Sequence, residues 1–385
     1  MPIPSPMITV TRGRFGSTSA QVLEQVRAAG LATRDEVVAR SGLSVATVGR
    51  AVTALVEAGV LRERPDRIRS GAVGRPGVPV EIDPERYVVA GVHLGRRIAT
   101  VALADLAGRV VAHETVRRSA GAPPDLPALS QVAASLLGSL PHRAPLSAGI
   151  VAPWLELGLD PAAHGRELAD LTGLEVHTGD HIAAVAASEF LHRRHGTPGV
   201  TLYVYARDTI GFALAVAKGG MVEVSRVGSL THFPTASPRA CRCGRTGCLQ
   251  VAAGDEAVVR AARAARKVSG TDIGSVYEAA EDPRVLGLLR DRARMLGTAA
   301  GVVRDMTAPD RVVLVGQAFT GCPPVLEDVL TSFKAGALTD VPVSFTRFGS
   351  GIQAIAASTV ALAPVYDDPM GAVPRSASAL ERAQR

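Results

Sequence analysis

Apolar residues recur at helical spacing through the first sixty residues, and glycines interrupt the pattern. Helices are predicted at residues 19–29, 33–41 and 45–58, each followed by a glycine, at Gly30, Gly42 and Gly59. Thr33 is the expected N-cap of the second helix, because Glu36 follows it three residues later. The predicted inner stripe of the third helix consists of Val48, Val52, Leu55 and Val56. Three short helices with a tight glycine turn between the last two predict a helix-turn-helix.

The hydrophobic pattern shortens to strand length after the third helix. Residues 60–82 read VLRERPDRIRSGAVGRPGVPVEI, which predicts two apolar and basic strands around a turn at Pro65-Asp66. A pair of strands that follows a helix-turn-helix is typical of a wing. The sequence therefore predicts a winged helix at its N-terminal end.

From residue 87 onward the pattern is typical of an α/β domain. Strands 87–94, 98–106 and 110–116 form a predicted meander, followed by helix 126–140, strand 146–152, a buried strand at 174–179 and helix 182–193. Later come strands 200–206 and 211–217, long helices between about 256 and 306, strand 311–316 and a last helix near 351–362.

Composition agrees with a folded protein of two or three domains, since 47% of the 385 residues are hydrophobic and 20% are charged. No apolar run has the length of a membrane span, and the start MPIPSPMITVTRGRF lacks an apolar signal core. We therefore expect a cytoplasmic protein that does not bind a membrane.

Positive charge is concentrated at the N-terminal end. The first 75 residues carry eleven arginines and six acidic residues, so nearly all of the net charge of +6 lies there. Such asymmetry indicates a nucleic-acid-binding module. A recognition helix enters the major groove by its N-terminal part, so the predicted DNA contacts are Ser44, Val45, Ala46, Thr47, Gly49 and Arg50. Arg75, on a glycine-flanked tip, is predicted to reach the minor groove. The alternative is a small helical bundle with solvated arginines.

Three of the four cysteines lie within eight residues. Cys241, Cys243 and Cys248 are interspersed with glycines, and His232 precedes them by nine residues. Zinc prefers four tetrahedral thiolate and imidazole ligands, so the sequence predicts a structural zinc site with this ligand set. A site with four protein ligands has no open position for a water, which argues against a zinc hydrolase. Free thiols or disulfides are the alternatives for the cysteines, and a packed loop position is the alternative for His232.

The segment GSLTH followed by CRCGRTGCLQ resembles the zinc signature of the ROK family (repressor, open reading frame, kinase). That family usually has GE(I/L)GH and CxCGxxGCLE, and both glutamates bind sugar hydroxyls. Here Ser229 and Gln250 replace them. The N-terminal winged helix and its GRP tip are similar to those of ROK repressors. The resemblance implies a two-lobed, actin-like ATPase fold after the winged helix.

The phosphate loops depart from the family pattern. Where the family has DxGGT, this chain has residues 93–97, HLGRR, and where it has GTGIGxG, residues 207–213 read RDTIGFA. The third site, a GG pair, is Gly316-Gln317 here. Asp180 takes the position of the family's catalytic aspartate, although an aspartate before a helix is also a common N-cap. We therefore predict no catalytic residue, with Asp180 as a vestigial candidate.

The resemblance implies a site for a small-molecule effector. Its predicted contacts are Trp154, Asp180, Ser229, His232 and Gln250, with core packing as the alternative for Trp154. Arg96 and Arg207 are expected either to fill the former nucleotide site, to bind an anionic effector, or to lie exposed.

Three segments are predicted: a winged helix at 1–85, a sugar-kinase-like effector and dimerisation domain at 86–365, and a flexible polar tail at 366–385. The predicted function is a transcriptional regulator, most simply a repressor, that binds an operator in duplex DNA as a homodimer or homotetramer and responds to a sugar, a sugar phosphate or another metabolite. The alternative is an ATP-dependent sugar kinase, or a bifunctional kinase and regulator.

Overall fold

The N-terminal head has the predicted helix-turn-helix with two wing strands. The computed structural model describes residues 9–11, 17–68, 77–119, 121–192, 198–218, 221–346 and 348–373. The first elements are β1 (Thr9–Thr11), α1 (Thr18–Ala29), α2 (Arg34–Ser41), α3 (Val45–Glu57), β2 (Leu61–Glu63) and β3 (Val80–Ile82). Strands β2 and β3 pair antiparallel, and a single 3-10 turn at Pro65–Arg67 follows β2. The predicted bounds of all three helices are confirmed to within about one residue.

Local sequence accounts for the ends of the head helices. Thr33 and Glu36 form the predicted capping box, in which each side chain bonds the backbone N–H of the other residue. Gly42 ends α2 in the left-handed conformation, with φ of 71°. Val48, Val52 and Leu55 are fully buried. The predicted stripe was wrong at Val56, which is half-buried, while Ala51 faces the core instead.

A five-stranded sheet with the order β6-β5-β4-β7-β8 follows the head. Its strands are β4 (Tyr87–Leu94), β5 (Ile98–Asp105), β6 (Val110–Arg117), β7 (Ala144–Ala152) and β8 (Val176–Asp180), and its helices are α4 (Leu126–Gly138), α5 (Trp154–Leu157), α6 (Pro161–Thr172) and α7 (His181–His192). The meander is confirmed. The strand predicted as buried at 174–179 is wrong in that respect, because β8 lies at the sheet edge and its first three residues are half-buried.

A second sheet begins with the parallel pair β9 (Gly199–Ala206) and β12 (Arg311–Val315). Its other strands are β1, β10 (Ile210–Lys218), β11 (Met221–Ser229) and β13 (Val343–Phe345), in the order β1-β11-β10-β9-β12-β13. The accompanying helices are α8 (Leu249–Ala253), α9 (Asp255–Ala264), α10 (Ile273–Glu278), α11 (Pro283–Thr307), α12 (Gln317–Thr320) and α13 (Leu326–Lys334). Their apolar faces share one core that includes Leu202, Leu296 and Phe319.

The chain returns to the first sheet through α14 (Ile352–Asp367) and α15 (Pro369–Ala372). A Cβ on Gly91 of β4 would lie 2.6 Å from the Ser358 nitrogen, and one on Gly149 of β7 would lie 2.8 Å from the Ala357 oxygen. Glycine is therefore required for α14 to pack so closely on the strands. The predicted flexible tail was wrong in its first part, because residues 366–373 are ordered in α14 and α15 and Tyr366 is buried.

Two compact units divide the chain. The first comprises residues 1–197, 217–223 and 353–385, and the second comprises residues 198–216 and 224–352. The head and the first sheet belong to the same unit, so the predicted boundary at residue 85 stays a prediction. None of the described helices is both long and apolar enough to cross a membrane.

Candidate functional site

The N-terminal turn of α3 presents the predicted DNA-contacting face. Ser44 caps the helix by accepting a hydrogen bond from the Thr47 backbone N–H at 3.2 Å, and the two hydroxyls lie 2.8 Å apart. Val45 is 69% exposed, and Ala46 beside it is also exposed, so this face offers apolar groups next to the hydroxyls. A Cβ built on Gly49 would have no atom within 4 Å, so the helix surface is open there.

Arg50 is the arginine of α3, and its side chain is exposed. Among the described head residues, five arginines make ion pairs with acidic side chains: Arg27, Arg34, Arg62, Arg64 and Arg67. Arg50 and Arg40 make none with any described residue, which leaves their charge available to a partner. Sequence reasoning missed Arg40, because exposure cannot be read from the pattern. Arg75 lies outside the described residues, so its predicted role stays a prediction.

Four side chains converge in the loop between β11 and α8. The ligand atoms of His232, Cys241, Cys243 and Cys248 all lie within 4.8 Å of one another. The His232 Nδ1 is 3.7 Å from the Cys241 Sγ, and the Sγ atoms of Cys243 and Cys248 are 3.6 Å apart. Zn–S bonds of about 2.3 Å place sulfur ligands of a tetrahedral ion about 3.8 Å apart. Both the spacing and the donor set therefore fit zinc.

Short backbone contacts bring these ligands together. Cys241 donates its N–H to the Arg245 carbonyl at 2.7 Å, which closes the turn that carries Cys243. Cys248 lies on an isolated bridge opposite Pro234. Gly247 has φ of 73°, and a Cβ there would lie 2.4 Å from the Thr235 carbonyl oxygen. Only glycine therefore fits where the chain passes so close to Thr235. The loop is built by its own hydrogen bonds, and a metal would tie its two halves together.

The thiols of the cluster differ in acidity. The pKa of Cys243 is lowered to about 6, chiefly because the backbone N–H and the guanidinium of Arg245 hydrogen-bond its thiolate. Burial is the largest cause that raises the pKa of Cys248, to about 11. All four cysteines are free thiols, so the disulfide alternative is not what the structure has. Zinc needs thiolates, and Cys243 is more readily deprotonated than Cys248.

Asp180 ends β8 immediately before α7 and is 4% exposed. Its Oδ1 accepts the backbone N–H groups of Ile182 at 2.8 Å and Ala183 at 3.3 Å, which is the geometry of an N-cap. Burial is the main cause that raises the pKa of Asp180 to about 6, against these two hydrogen bonds. Asp180 is thus the N-cap of α7, as the alternative had it. Its predicted contact with an effector stays a prediction.

Two buried histidines accompany Asp180, and sequence reasoning missed both. His93, in the former phosphate loop, and His181 have ring centroids 6.2 Å apart in an edge-to-face arrangement. Burial lowers the pKa of His181 to about 4, so this ring is neutral near pH 7. The two residues are 88 positions apart in the sequence. Only the parallel packing of the sheet brings them together, so no local pattern could have found the pair.

Trp154 packs in the core of the first sheet with Val92, Leu94 and Ile150 and is 3% exposed. Its indole N–H donates to the Gly179 carbonyl at 2.7 Å. The packing alternative therefore describes its present contacts, and a role in ligand binding stays a prediction.

Ser229 and Gln250 belong to the second unit. Ser229 is exposed at the end of β11, where its hydroxyl donates to the Thr231 hydroxyl at 2.9 Å. Gln250 donates its side-chain amide to the Asp208 carbonyl at 2.8 Å, so it ties α8 to the loop at 207–209. Its Oε1 is buried and has no hydrogen-bond partner among the described residues. That atom is an acceptor of the kind that a ligand hydroxyl satisfies.

The turn between β4 and β5 occupies the position of the family's first phosphate loop. Gly95 donates its N–H to the Ile98 carbonyl at 2.8 Å, as in an ordinary hairpin. The Gly95 carbonyl accepts a hydrogen bond from the Arg118 guanidinium. No carboxylate lies in this turn, whose residues 93–97 read HLGRR. The N–H of Gly95, a group that could otherwise face a phosphate, is therefore used within the protein.

The segments at the other two family loop positions, 207–213 and 316–317, also make contacts within the protein. Phe212 in β10 packs its ring on Gly228, where a Cβ would lie 2.4 Å from a ring carbon. At the third position, the Gln317 carbonyl accepts the Tyr277 hydroxyl at 3.0 Å, and Tyr277 accepts from the buried Arg292 at 2.9 Å. Arg292 also pairs with Asp255. A buried network thus holds the segment in which the family has its second glycine.

Comparisons with known proteins agree with this architecture. The ROK family model matches residues 89–348. Transcriptional regulator Mb0495 of Mycobacterium bovis is 37% identical over 96% of this chain and 90% of its own length. The N-acetylglucosamine repressor of Escherichia coli O157:H7 is 21% identical over 84% of this chain and 87% of its own.

One solved structure is similar over nearly the whole length. It is a ROK family transcriptional regulator described as a homologue of the E. coli MLC protein, with a TM-score of 0.68, 19% identity, and coverage of 91% of this chain and 96% of that one. This likeness shows the fold, which is the actin-like, two-lobed fold of ROK proteins. Family match, relatives and fold agree, and the chain belongs to the ROK family.

Proposed function

We propose that this protein is a DNA-binding transcriptional regulator, acting as a repressor, whose kinase-like body senses a small molecule and does not catalyse phosphoryl transfer. The observation that carries the proposal is the open N-terminal face of α3. There Ser44, Val45 and Arg50 are exposed, while most described arginines of the head are already paired.

The chemistry of α3 suits duplex DNA. Its N-terminal N–H groups and the positive end of the helix dipole attract phosphate. Val45 and Ala46 provide apolar contact of the kind made with thymine methyl groups, and Ser44 and Thr47 provide hydroxyls. Arg50 supplies an unpaired cation one turn further along the helix. With Gly49, and with Arg75 at the wing tip, these residues form the proposed DNA interface.

A regulator of this design binds DNA as a homodimer or homotetramer, because paired half-sites require two heads. Support for repression comes from the relative that is named an N-acetylglucosamine repressor. That name also supports a sugar or sugar derivative as the effector class. The proposed effector contacts are Trp154, Asp180, Ser229, His232 and Gln250, among which the unpartnered Oε1 of Gln250 is the most direct candidate.

Zinc has a structural role in this proposal. His232, Cys241, Cys243 and Cys248 would hold the ion and leave no position for a reactive water. The ion would fix the segment between Ser229 and Gln250, and therefore the orientation of both effector contacts.

A sugar kinase has less support from the residues. Phosphoryl transfer needs a metal-binding carboxylate and backbone N–H groups directed at the phosphates. The turn at 93–97 has no carboxylate, and the N–H of Gly95 is bonded to Ile98. Phe212 and the Tyr277–Gln317 contact occupy the other two loops.

Selection from a library of genomic DNA fragments tests the proposal. The full-length, zinc-loaded protein is expected to enrich a small set of promoter fragments that share a two-fold symmetric sequence, at about 150 mM salt. Specific sites are typically bound at least about a thousandfold more tightly than random DNA. Recovery of fragments with no shared sequence would remove the regulator proposal. Transfer of phosphate from ATP to a hexose by the same preparation would remove the non-enzymatic part.

A further inference from the structure

The side of α3 that faces away from the core carries mostly small or apolar residues. Residues 45, 46, 49, 50 and 53 follow one side of a helix by their spacing, and Ser44 caps it. Val48, Val52 and Leu55 are buried on the opposite side. We call the outward side the reading face, and its members are Ser44, Val45, Ala46, Gly49, Arg50 and Thr53.

The reading face lacks the side chains that recognise an A·T pair by paired hydrogen bonds. Asn and Gln bind the adenine edge in the major groove, and Glu and Asp accept from cytosine. Residues 44–53 read SVATVGRAVT and contain none of these four residue types. Arg50 is the one charged residue of the stretch, and arginine binds guanine or a phosphate. Recognition of an A·T pair by this face must therefore use another feature of the base pair.

The hydroxyls at the start of the face are largely used within the helix. The Ser44 Oγ accepts the Thr47 backbone N–H at 3.2 Å, and the two side-chain oxygens lie 2.8 Å apart, so that one hydroxyl donates to the other. At most one hydroxyl hydrogen of the pair remains for a base. The two residues between them, Val45 and Ala46, are exposed and offer only methyl groups.

Gly49 is a second, independent sign of close approach by a partner. It lies inside α3 without a positive φ, and a Cβ there would have no described atom within 4 Å. Neither backbone conformation nor packing therefore requires glycine, although glycine destabilises a helix interior relative to alanine. Glycine also occurs where a ligand approaches the backbone closely. Since residues four apart are neighbours on a helix, the absent Cβ leaves space beside Val45.

We propose that α3 recognises thymine in the major groove, with Val45 and Ala46 in contact with C5 methyl groups and Gly49 allowing the helix to lie close to the base edges. The inference rests on the proposed function and specifies the base that an operator presents to this helix. The thymine methyl is the apolar group that the four bases display in the major groove, so it complements these side chains. Arg50, which makes no ion pair with a described residue, would hold a phosphate and keep the helix in place.

Replacement of thymine by uracil tests the proposal, because uracil lacks only the methyl group. A promoter fragment enriched by the full-length, zinc-loaded protein is synthesised with thymine and with uracil, and both forms are titrated by fluorescence anisotropy. The uracil form should bind at least about fourfold more weakly, the factor that burial of one methyl group contributes. Equal affinity for the two forms would overturn the proposal. It would assign any A·T preference to the minor groove, where thymine and uracil present the same atoms.

A variant at Val45 connects the methyl effect to this side chain. Val45→Ala removes two methyl groups from an exposed position, so the fold should be intact. The preference for thymine over uracil should then be smaller than in the wild type. Arg50→Ala is the matched control on the same helix, because loss of a phosphate contact should weaken both DNA forms by the same factor and leave the preference unchanged. An unchanged preference in Val45→Ala would overturn the proposal.

A variant at Gly49 tests the close approach. Gly49→Ala should not lower the melting temperature, because alanine is the better helix former and the Cβ has free space. It should nevertheless weaken binding of the thymine fragment at least about fivefold, the cost of an added methyl group in a close-packed contact. Gly287→Ala is the matched control, since Gly287 lies inside α11 and its Cβ position is equally open. Wild-type affinity in Gly49→Ala, or an equal loss in Gly287→Ala, would overturn the close approach.

Failure of this inference and failure of the proposed function are distinguishable. If selection yields no fragments with a shared sequence, the regulator proposal fails and thymine recognition fails with it. If a fragment is bound specifically and its uracil form binds equally well, the regulator proposal stands and only the recognition of thymine by α3 is lost.

Discussion

Two turns of the first unit are expected to meet phosphate groups, the N-terminal turn of α3 from its fold and the β4–β5 turn from the family pattern. The contacts that their residues make differ sharply. On α3, Arg50 is exposed and makes no ion pair with a described residue, and no described atom lies within 4 Å of the Cβ position of Gly49. At the β4–β5 turn, the N–H of Gly95 is bonded to Ile98 and its carbonyl to Arg118. The Arg50 side chain is thus available to a partner, whereas the backbone groups of Gly95 are bonded within the protein.

This difference teaches that retention of a fold and retention of its chemistry are separate matters. The meander that supports the phosphate loop in a kinase is complete, with β4 and β5 paired from Val88–Asp105 to Leu94–Ala99. In a kinase of this family the catalytic requirements lie in a few side chains at its end, and residues 93–97, HLGRR, differ there from the family pattern DxGGT. The buried strands β4 and β5 stabilise the body whatever residues occupy the turn.

The largest expected effect concerns the loop that carries the four metal ligands. If zinc stabilises the body, loss of one ligand should release the ion and loosen this loop. Cys248→Ser removes the buried ligand, so the zinc content should fall from one ion per chain to none, and limited proteolysis should cut within residues 231–250. Structural zinc sites contribute on the order of 10 kcal/mol in isolated fingers. Cys322→Ala is the matched control, because that buried cysteine is outside the cluster. Metal retained in Cys248→Ser would exclude the four-ligand site.

Asp180 distinguishes a capping role from a catalytic one. Burial raises its pKa to about 6, so between about pH 4 and 6 the folded state binds more protons than the unfolded state, and the contribution of Asp180 to stability falls as the pH rises. Asn still caps a helix but does not titrate. Asp180→Asn should therefore gain about 2–3 kcal/mol in unfolding free energy relative to the wild type between pH 4 and 7.

Measurement of both proteins by urea unfolding at several pH values gives this difference directly. His181 has a lowered pKa and changes stability in the opposite direction over the same range, but it is present in both proteins. A difference between the two proteins that does not vary with pH would contradict the raised pKa of Asp180.

A substitution at Arg50 tests whether the exposed charge on α3 contacts the DNA backbone. Arg50→Ala should weaken binding to an enriched promoter fragment about tenfold and reduce the salt slope of the binding constant by about one unit, since one phosphate contact is lost. Fluorescence anisotropy at four salt concentrations measures both quantities. Arg117→Ala in β6 should leave affinity and slope unchanged. An Arg50→Ala slope equal to that of the wild type would place this arginine away from the phosphates.

The smallest expected effect tests how firmly the head is built. Thr33→Ala removes the side-chain half of the capping box at α2, which should cost about 1 kcal/mol of unfolding free energy, as measured by thermal or chemical denaturation. Thr53→Ala changes an exposed threonine inside α3 and should cost much less, within about 0.5 kcal/mol. Equal losses in the two variants would mean that the box contributes little.

Local signals predicted much of this molecule. Short-range chemistry predicts the helix ends at Gly30 and Gly42 and the capping box at Thr33, and the structure has all three. It also predicts the metal ligands in the loop after β11, which lie close together in the structure. The ROK resemblance supplied the fold order, since a pattern of strands and helices does not by itself fix their neighbours.

Contacts between residues that are far apart in the chain could not be predicted from the sequence. Nothing near Gly95 shows that Arg118 bonds its carbonyl, and nothing near Trp154 shows that Gly179 accepts its N–H. β8 was expected to be buried, but its place at the sheet edge depends on the order of all five strands. A flexible polar tail was expected from residue 366, and nothing in its composition shows that the Tyr366 hydroxyl donates to the Leu106 carbonyl.

Binding of an enriched promoter fragment by the wild type and by Val45→Glu tests the central claim most directly. Val45 is exposed on α3, so the change should not disturb folding, but a carboxylate there would face the DNA phosphates and bases. We expect the wild type to bind with a dissociation constant on the order of 10 nM at physiological salt, and Val45→Glu to bind at least about a hundredfold more weakly. Equal affinity of the two proteins would contradict the claim that α3 reads DNA.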